Sequence, residues 1–143
     1  MKFILASQSL RRKEILNKIN LNFKIYSSNL DEKKIINNYK RPDLFCKKLA
    51  NIKAELVSKK FPKDYVIGAD TIVVHNKTIL NKPIDKKEAI NHLELLSNSK
   101  HTVYTAVSLI NISKNINISF IESTQVYFNM LKSKEINYYV NKF

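Results

Sequence analysis

Asp70 stands inside an almost continuous apolar run, VIGADTIVV at Val66–Val74. A carboxylate in such a place must be paired, hydrogen-bonded or bound to a metal, because burying it alone is costly. Two readings follow: a structural acid capped by backbone N–H groups, or a carboxylate whose environment is built for chemistry. A second stretch, SQSLRRK at Ser7–Lys13, puts two serines and three cations where a strand gives way to a helix. The free N–H groups of a helix start attract anions, whereas cations there are unfavourable by about 0.3–1 kcal/mol each. A bound anion reverses that sign, and the arginine fork suits phosphate oxygens bidentately. The competing reading is a solvated basic helix start. The stretch lacks the glycines of a P-loop.

Three further groups belong with these. Lys53 falls on the polar side of a helix near Glu55, where a solvated lysine is the plain reading. Lys82 precedes Pro83, whose ring fixes the backbone and could aim the ammonium. Asp31 and Glu32 offer loop carboxylates, either an ordinary acidic turn or, with Asp70, oxygen ligands for Mg²⁺. His75, His92 and His101 have no metal-ligand spacing to one another or to Cys46, which argues against zinc. His101 opens a strand and is expected to face solvent. Cys46, the single cysteine, excludes an internal disulfide and reads as a small core residue.

The elements that must position these groups follow from pattern. Lys2–Ala6 and Leu21–Tyr26 read as strands, with a helix over Leu10–Ile19 between them. Ser9 is its natural N-cap, and Ile15, Leu16 and Ile19 share its apolar face. Ser27–Lys40 reads mostly as loop. Pro42 opens a helix to about Lys60, with Phe45, Leu49, Ile52 and Leu56 as its stripe. The Asp70 strand turns at His75–Lys77 into a short strand, Thr78–Leu80. Asp85 and Glu88 form a capping box for a helix to Leu96, with Ala89, Leu93 and Leu96 inward. Thr102–Ile112 and Ile116–Phe128 read as a long hairpin, and Ser133 caps a last helix, Lys134–Asn141. The fold class is α/β with a mixed sheet. Gly68, the only glycine among 143 residues where about ten would be ordinary, marks a bulge or a close backbone approach.

Composition bounds the function. The net charge of +13 suggests an anionic partner. Yet 22 of the 25 basic residues are lysine, and Lys, Asn and Ile, all with A/T-rich codons, fill 57 positions. Coding bias therefore competes with selection for binding, and the three arginines say more than the lysines. No aromatic platform or RNP-like motif supports specific nucleic-acid recognition. No apolar run approaches the ~20 residues of a membrane span, and the N-terminus is too short for a secretory signal, so a cytoplasmic location is expected.

Taken in order, the segments resemble one family. SQSLRRKEIL at 7–16 is similar to the S-x-S-P-R-R signature of the Maf nucleotide pyrophosphatases. DE at 31–32, ANIKAE at 50–55, IGADTIVV at 67–74, ILNKPIDKKEAINHLELLS at 79–97, HTVYTAVSLI at 101–110 and EINYYV at 135–140 follow in the family's sequence order. The resemblance implies an elongated Maf/ITPase-like α/β fold with a central twisted mixed sheet and a cleft. It implies a single Maf-like domain over 1–143, lacking the family's usual C-terminal D-K-A-G-x-Y-x-I-Q-G segment; Leu10 replaces the usual proline. The implied activity is hydrolysis of nucleoside triphosphates, dTTP and UTP and with them modified nucleotides, to monophosphate and pyrophosphate, with Mg²⁺ or Mn²⁺.

By the same resemblance Asp70 is the proton acceptor, and Ser7, Ser9, Arg12, Lys53 and Lys82 bind the triphosphate. Glu32 with Asp70 holds the metal, and Arg11 and Thr71 set specificity. Arg-Arg with GADT resembles the dTTP/UTP subgroup; S-P-W-R with GSDQ marks the subgroup acting on 7-methyl-GTP. A homodimer is compatible with this reading. The alternative is a truncated, catalytically weak or inactive nucleotide-binding remnant. A basic nucleic-acid-binding module is a third and weaker reading.

Overall fold

The computed structural model describes residues 2–35 and 40–142. Part of the expected loop Ser27–Lys40 lies outside the described residues. The elements, in chain order, are β1 (Phe3–Leu5), α1 (Leu10–Lys18), β2 (Phe23–Ile25), a 3₁₀ turn (Glu32–Lys34) and α2 (Pro42–Ser58). They continue with β3 (Tyr65–His75), β4 (Thr78–Leu80), α3 (Lys86–Leu96), β5 (Lys100–Asn111), a second 3₁₀ turn (Ile112–Lys114), β6 (Ile116–Tyr127) and α4 (Ser133–Lys142). The six strands form one sheet ordered β2-β1-β3-β5-β6, with β4 against β3. Strand β1 runs parallel to both neighbours, pairing Ile4 with Lys24 and with Val66, while β3 and β4 are antiparallel. The sheet is therefore mixed, as the pattern of strands and helices requires. No helix among the described residues is long and apolar enough to cross a membrane.

The β3–β4 connection is a two-residue turn, Asn76-Lys77, with φ of 46° and 64°. Two consecutive positive φ values match the right-handed twist of a hairpin, and asparagine tolerates them better than lysine does. In the second 3₁₀ turn Asn111 caps the start by accepting from Lys114 N–H at 2.9 Å, and Asn115 leaves in the left-handed region at φ 52°.

The chain groups into two compact units. The first comprises 1–71 with 105–122, the second 72–104 with 123–143. In the first unit Ile4, Ala6, Ala54, Val57, Val66 and Ile110 form a core cluster, with Phe61 packed against it. Each fully buried valine or isoleucine of this cluster contributes about 1.5–3 kcal/mol. In the second unit the histidine expected to face solvent is inside: His101 is 6% exposed and meets the Phe128 ring edge-on at 5.0 Å. Its place at the start of β5 told only where the strand begins, not which face is covered.

Two apolar stripes differ from expectation. Helix α1 buries no residue completely, and Ile15 is 53% exposed. Its nine residues, LRRKEILNK, carry five charges, and three apolar positions are too few to fix a buried face. In α2 the buried positions are Phe45, Cys46, Leu49, Ala50, Lys53, Ala54, Val57 and Ser58, while Leu56 is exposed. The inner face is thus turned away from the Ile52–Leu56 side toward the small residues. Gly68 explains the turn. A Cβ there would run into the Ala50 carbonyl oxygen and lie 2.7 Å from the Ala54 nitrogen and 2.8 Å from its Cβ. The glycine lets the backbone of α2 rest directly on β3, with Ala50 and Ala54 as the contact.

Candidate active site

The close seat of α2 on β3 decides what happens to Asp70. The aspartate is 5% exposed in the middle of β3, and Lys53, only 8% exposed, is one helical turn beyond the Ala50 contact. The Lys53 ammonium donates to Asp70 Oδ1 at 2.5 Å. It also pairs with Glu32 Oε1 at 2.7 Å, from the first 3₁₀ turn. Lys53 is therefore not the solvated lysine that its sequence position suggested; it bridges two carboxylates. Cys46 is fully buried beside it, and its Sγ–H points at the Asp70 carbonyl at 3.5 Å.

Arg12 approaches from α1. Its Nη1 donates to Ser7 Oγ at 2.9 Å, and its Nη2 to Thr71 Oγ1 at 3.4 Å. Ser7 Oγ also accepts the Ser9 N–H at 3.3 Å. Thr71, next to Asp70, shares a hydrogen bond with Thr105 of β5, Oγ1 to Oγ1 at 3.1 Å. Ser7, Arg12 and Thr71 thus form one hydrogen-bonded group and Glu32, Lys53 and Asp70 a second; the two meet where Asp70 and Thr71 are consecutive in β3, and the Arg12 charge acts on Asp70.

The electrostatics follow from burial. Desolvation pushes the Asp70 carboxyl above the usual carboxylate range; Lys53 and Arg12 pull it back, and Glu32 adds to the rise. Burial works against the Arg12 charge, and Asp70 and Glu32 support it. The result is an ionisable acid with fixed cations on hand, the arrangement that lets a carboxylate act as a base near neutral pH. Among the described residues, unused donors remain. Of the three ammonium protons of Lys53, two point at carboxylates, and the guanidinium of Arg12 has more N–H groups than its two bonds use.

The other sequence candidates are placed differently. Ser9 occupies the N-cap position of α1, but its side chain makes no capping bond. Arg11 is exposed on α1. Lys82 is exposed in the loop after β4 and belongs to the second unit. Asp31 is exposed and pairs with Lys34 at 3.4 Å. Thr105 is the participant the sequence reading passed over. Its signal was the polar residue at every second or third position of HTVYTAVSLI, which is also what an ordinary half-buried strand shows.

Among the described residues, no group of three or more His, Cys, Asp or Glu side chains is placed to hold a metal ion. Two carboxylates do converge, since Glu32 and Asp70 share the Lys53 ammonium. That donor set suits Mg²⁺ or Mn²⁺ completed by water and phosphate oxygens, because Mg²⁺ is commonly held by one or two carboxylates.

Known proteins share this framework. A family model described as Maf-like protein matches residues 2–143. A dTTP/UTP pyrophosphatase from Geobacillus sp. strain WCH70 is 42% identical over 137 residues, covering 96% of this chain and 72% of the relative. A dTTP/UTP pyrophosphatase from Alkaliphilus oremlandii is 45% identical over 138 residues, covering 96% and 70%. Among solved structures, a HAM1 protein from Coxiella burnetii superposes with a TM-score of 0.58 at 14% identity, covering 89% of this chain and 72% of that one. A nucleoside-triphosphatase / dITP/XTP pyrophosphatase from Mycobacterium abscessus superposes with a TM-score of 0.53 at 12% identity, covering 89% and 74%. At such identities the structural likeness is one of fold.

Proposed function

We infer the activity from descent and geometry together: the chain belongs to the Maf-like protein family, and it hydrolyses dTTP and UTP to the monophosphate and pyrophosphate. The observation that carries the mechanism is the Lys53 ammonium between Asp70 and Glu32, with Arg12 close by. Hydrolysis breaks the α–β phosphoanhydride bond. Water supplies the new P–O bond, and Asp70 takes its proton. The cost of that step lies in the charge of the phosphates and in placing the water, and fixed cations and a positioned base reduce both.

Arg12 binds phosphate through donors left free by Ser7 and Thr71. Lys53 keeps Asp70 ionised and offers its remaining proton to a phosphate oxygen. Ser7, Ser9 and the open start of α1 complete the anion site. Glu32 and Asp70 would hold a divalent cation, which supplies charge neutralisation on the phosphates when bound. Arg11 and Thr71 select the pyrimidine substrates, and modified nucleotides are further candidates. The enzyme acts in the cytoplasm, where nucleoside triphosphates occur, and a homodimer is compatible with this assignment.

Purified protein assayed with UTP, dTTP and the other nucleoside triphosphates, with Mg²⁺ or Mn²⁺, tests this reading. Pyrophosphate release is expected, fastest from UTP and dTTP. Orthophosphate as the product would contradict the bond assignment, and nucleotide binding without turnover would favour the inactive remnant.

A further inference from the structure

Among the described residues Arg12 has two side-chain anchors, and one of them is itself anchored. The Ser7 contact, at 2.9 Å, fixes Nη1. The Thr71 contact, at 3.4 Å, is longer and lies on an exposed hydroxyl, so on its own it would constrain Nη2 weakly. The guanidinium is a donor only, so Thr71 Oγ1 must accept from it. The Thr71 O–H is then free to donate, and Thr105 Oγ1 is 3.1 Å away. That bond stops the Thr71 hydroxyl from rotating and keeps a lone pair aimed at Arg12. Strand β5 therefore helps to fix a cation on α1 through a side chain on β3.

We propose that Thr105 is a positioning residue for phosphate binding: through Thr71 it holds the Arg12 guanidinium in the orientation that meets the triphosphate. The inference rests on the phosphate-binding role assigned to Arg12 above. A rotating Thr71 leaves Arg12 pivoting on Ser7 alone, and part of the orientation must then be recovered when substrate binds. The effect falls on ground-state affinity more than on the chemical step, because Asp70 and Lys53 do not depend on Thr105.

The test uses Thr105→Val, Thr105→Ser, Thr71→Val and the Thr71→Val/Thr105→Val pair. KM and kcat are measured with UTP, and affinity for inorganic tripolyphosphate is measured by calorimetry. For Thr105→Val, KM and the tripolyphosphate Kd are expected to rise about three- to tenfold, with kcat within about twofold. Thr105→Ser restores both, and the double variant is no worse than Thr71→Val, since the two residues act in series. Unchanged affinity in Thr105→Val, additive losses in the pair, failure of serine to rescue, or no tripolyphosphate binding by the native protein would each overturn the inference. If the native protein binds tripolyphosphate, responds as expected and yet releases no pyrophosphate from UTP, the positioning role stands and the hydrolase assignment falls.

Discussion

Helix α3 closes its own N-terminus, and helix α1 leaves its own open. At α3 the Asp85 carboxylate accepts the Glu88 N–H at 2.7 Å, and Glu88 reaches back to the Ile84 N–H at 2.7 Å. Its first turn carries an acid, as the helix dipole favours. At α1 the residue in the same position, Ser9, makes no side-chain cap, the first turn has no acid, and Arg11, Arg12 and Lys13 stand where the dipole disfavours them. One helix is capped within the protein; the other has the open, basic start that the proposed function assigns to phosphate binding. The uncapped helix belongs to the unit that holds Asp70 and Lys53.

Substitutions can break or sharpen that contrast. The largest effect is expected at the open side, where Asp70→Asn removes the proton acceptor. Pyrophosphate release should fall about 10²–10⁴-fold, while circular dichroism keeps its native shape; near-native turnover would remove Asp70 from the chemistry. Next comes Ser9→Asp, which gives α1 the cap and the acid that α3 already has. Thermal unfolding should move upward, and the KM for UTP should rise about tenfold or more through repulsion of the phosphates. A variant that is both more stable and tighter-binding would show that the start of α1 is not an anion site. The smallest effect belongs to the closed side. Asp85→Ala should cost about 1 kcal/mol in denaturant unfolding and leave kcat/KM unchanged.

Much of the frame was legible in the residues. The apolar run around Asp70, the Asp85–Glu88 capping box and the paired long strands each carry a local signal and lie where that signal puts them, and the turn expected at His75–Lys77 falls on Asn76-Lys77, with His75 still in β3. The site was legible in part. Asp70 announced itself as a charge in an apolar strand, and Arg12 as a cation at a helix start. Lys53 did not, because large apolar residues drew the helical stripe toward Ile52 and Leu56. The buried face is set instead by small residues, with Ala50 and Ala54 lying directly on Gly68. Close packing between backbones leaves its trace in the absence of side-chain volume, which hydropathy does not register. Thr105 was hidden for another reason: a hydroxyl on a half-buried strand is ordinary until its partner across the sheet is known.

The central claim is that Asp70 is an ionised base governed by the charges of Lys53 and Glu32, and the pH dependence of kcat/KM tests it most directly. Burial raises the Asp70 pKa, so pyrophosphate release from UTP should fall as pH drops through a value above the ordinary carboxylate range of about 4. Lys53 lowers that pKa and Glu32 raises it. The acid limb should therefore move to higher pH in the residual activity of Lys53→Met and to lower pH in Glu32→Gln. A limb at the ordinary carboxylate value, unmoved by either substitution, would contradict the account.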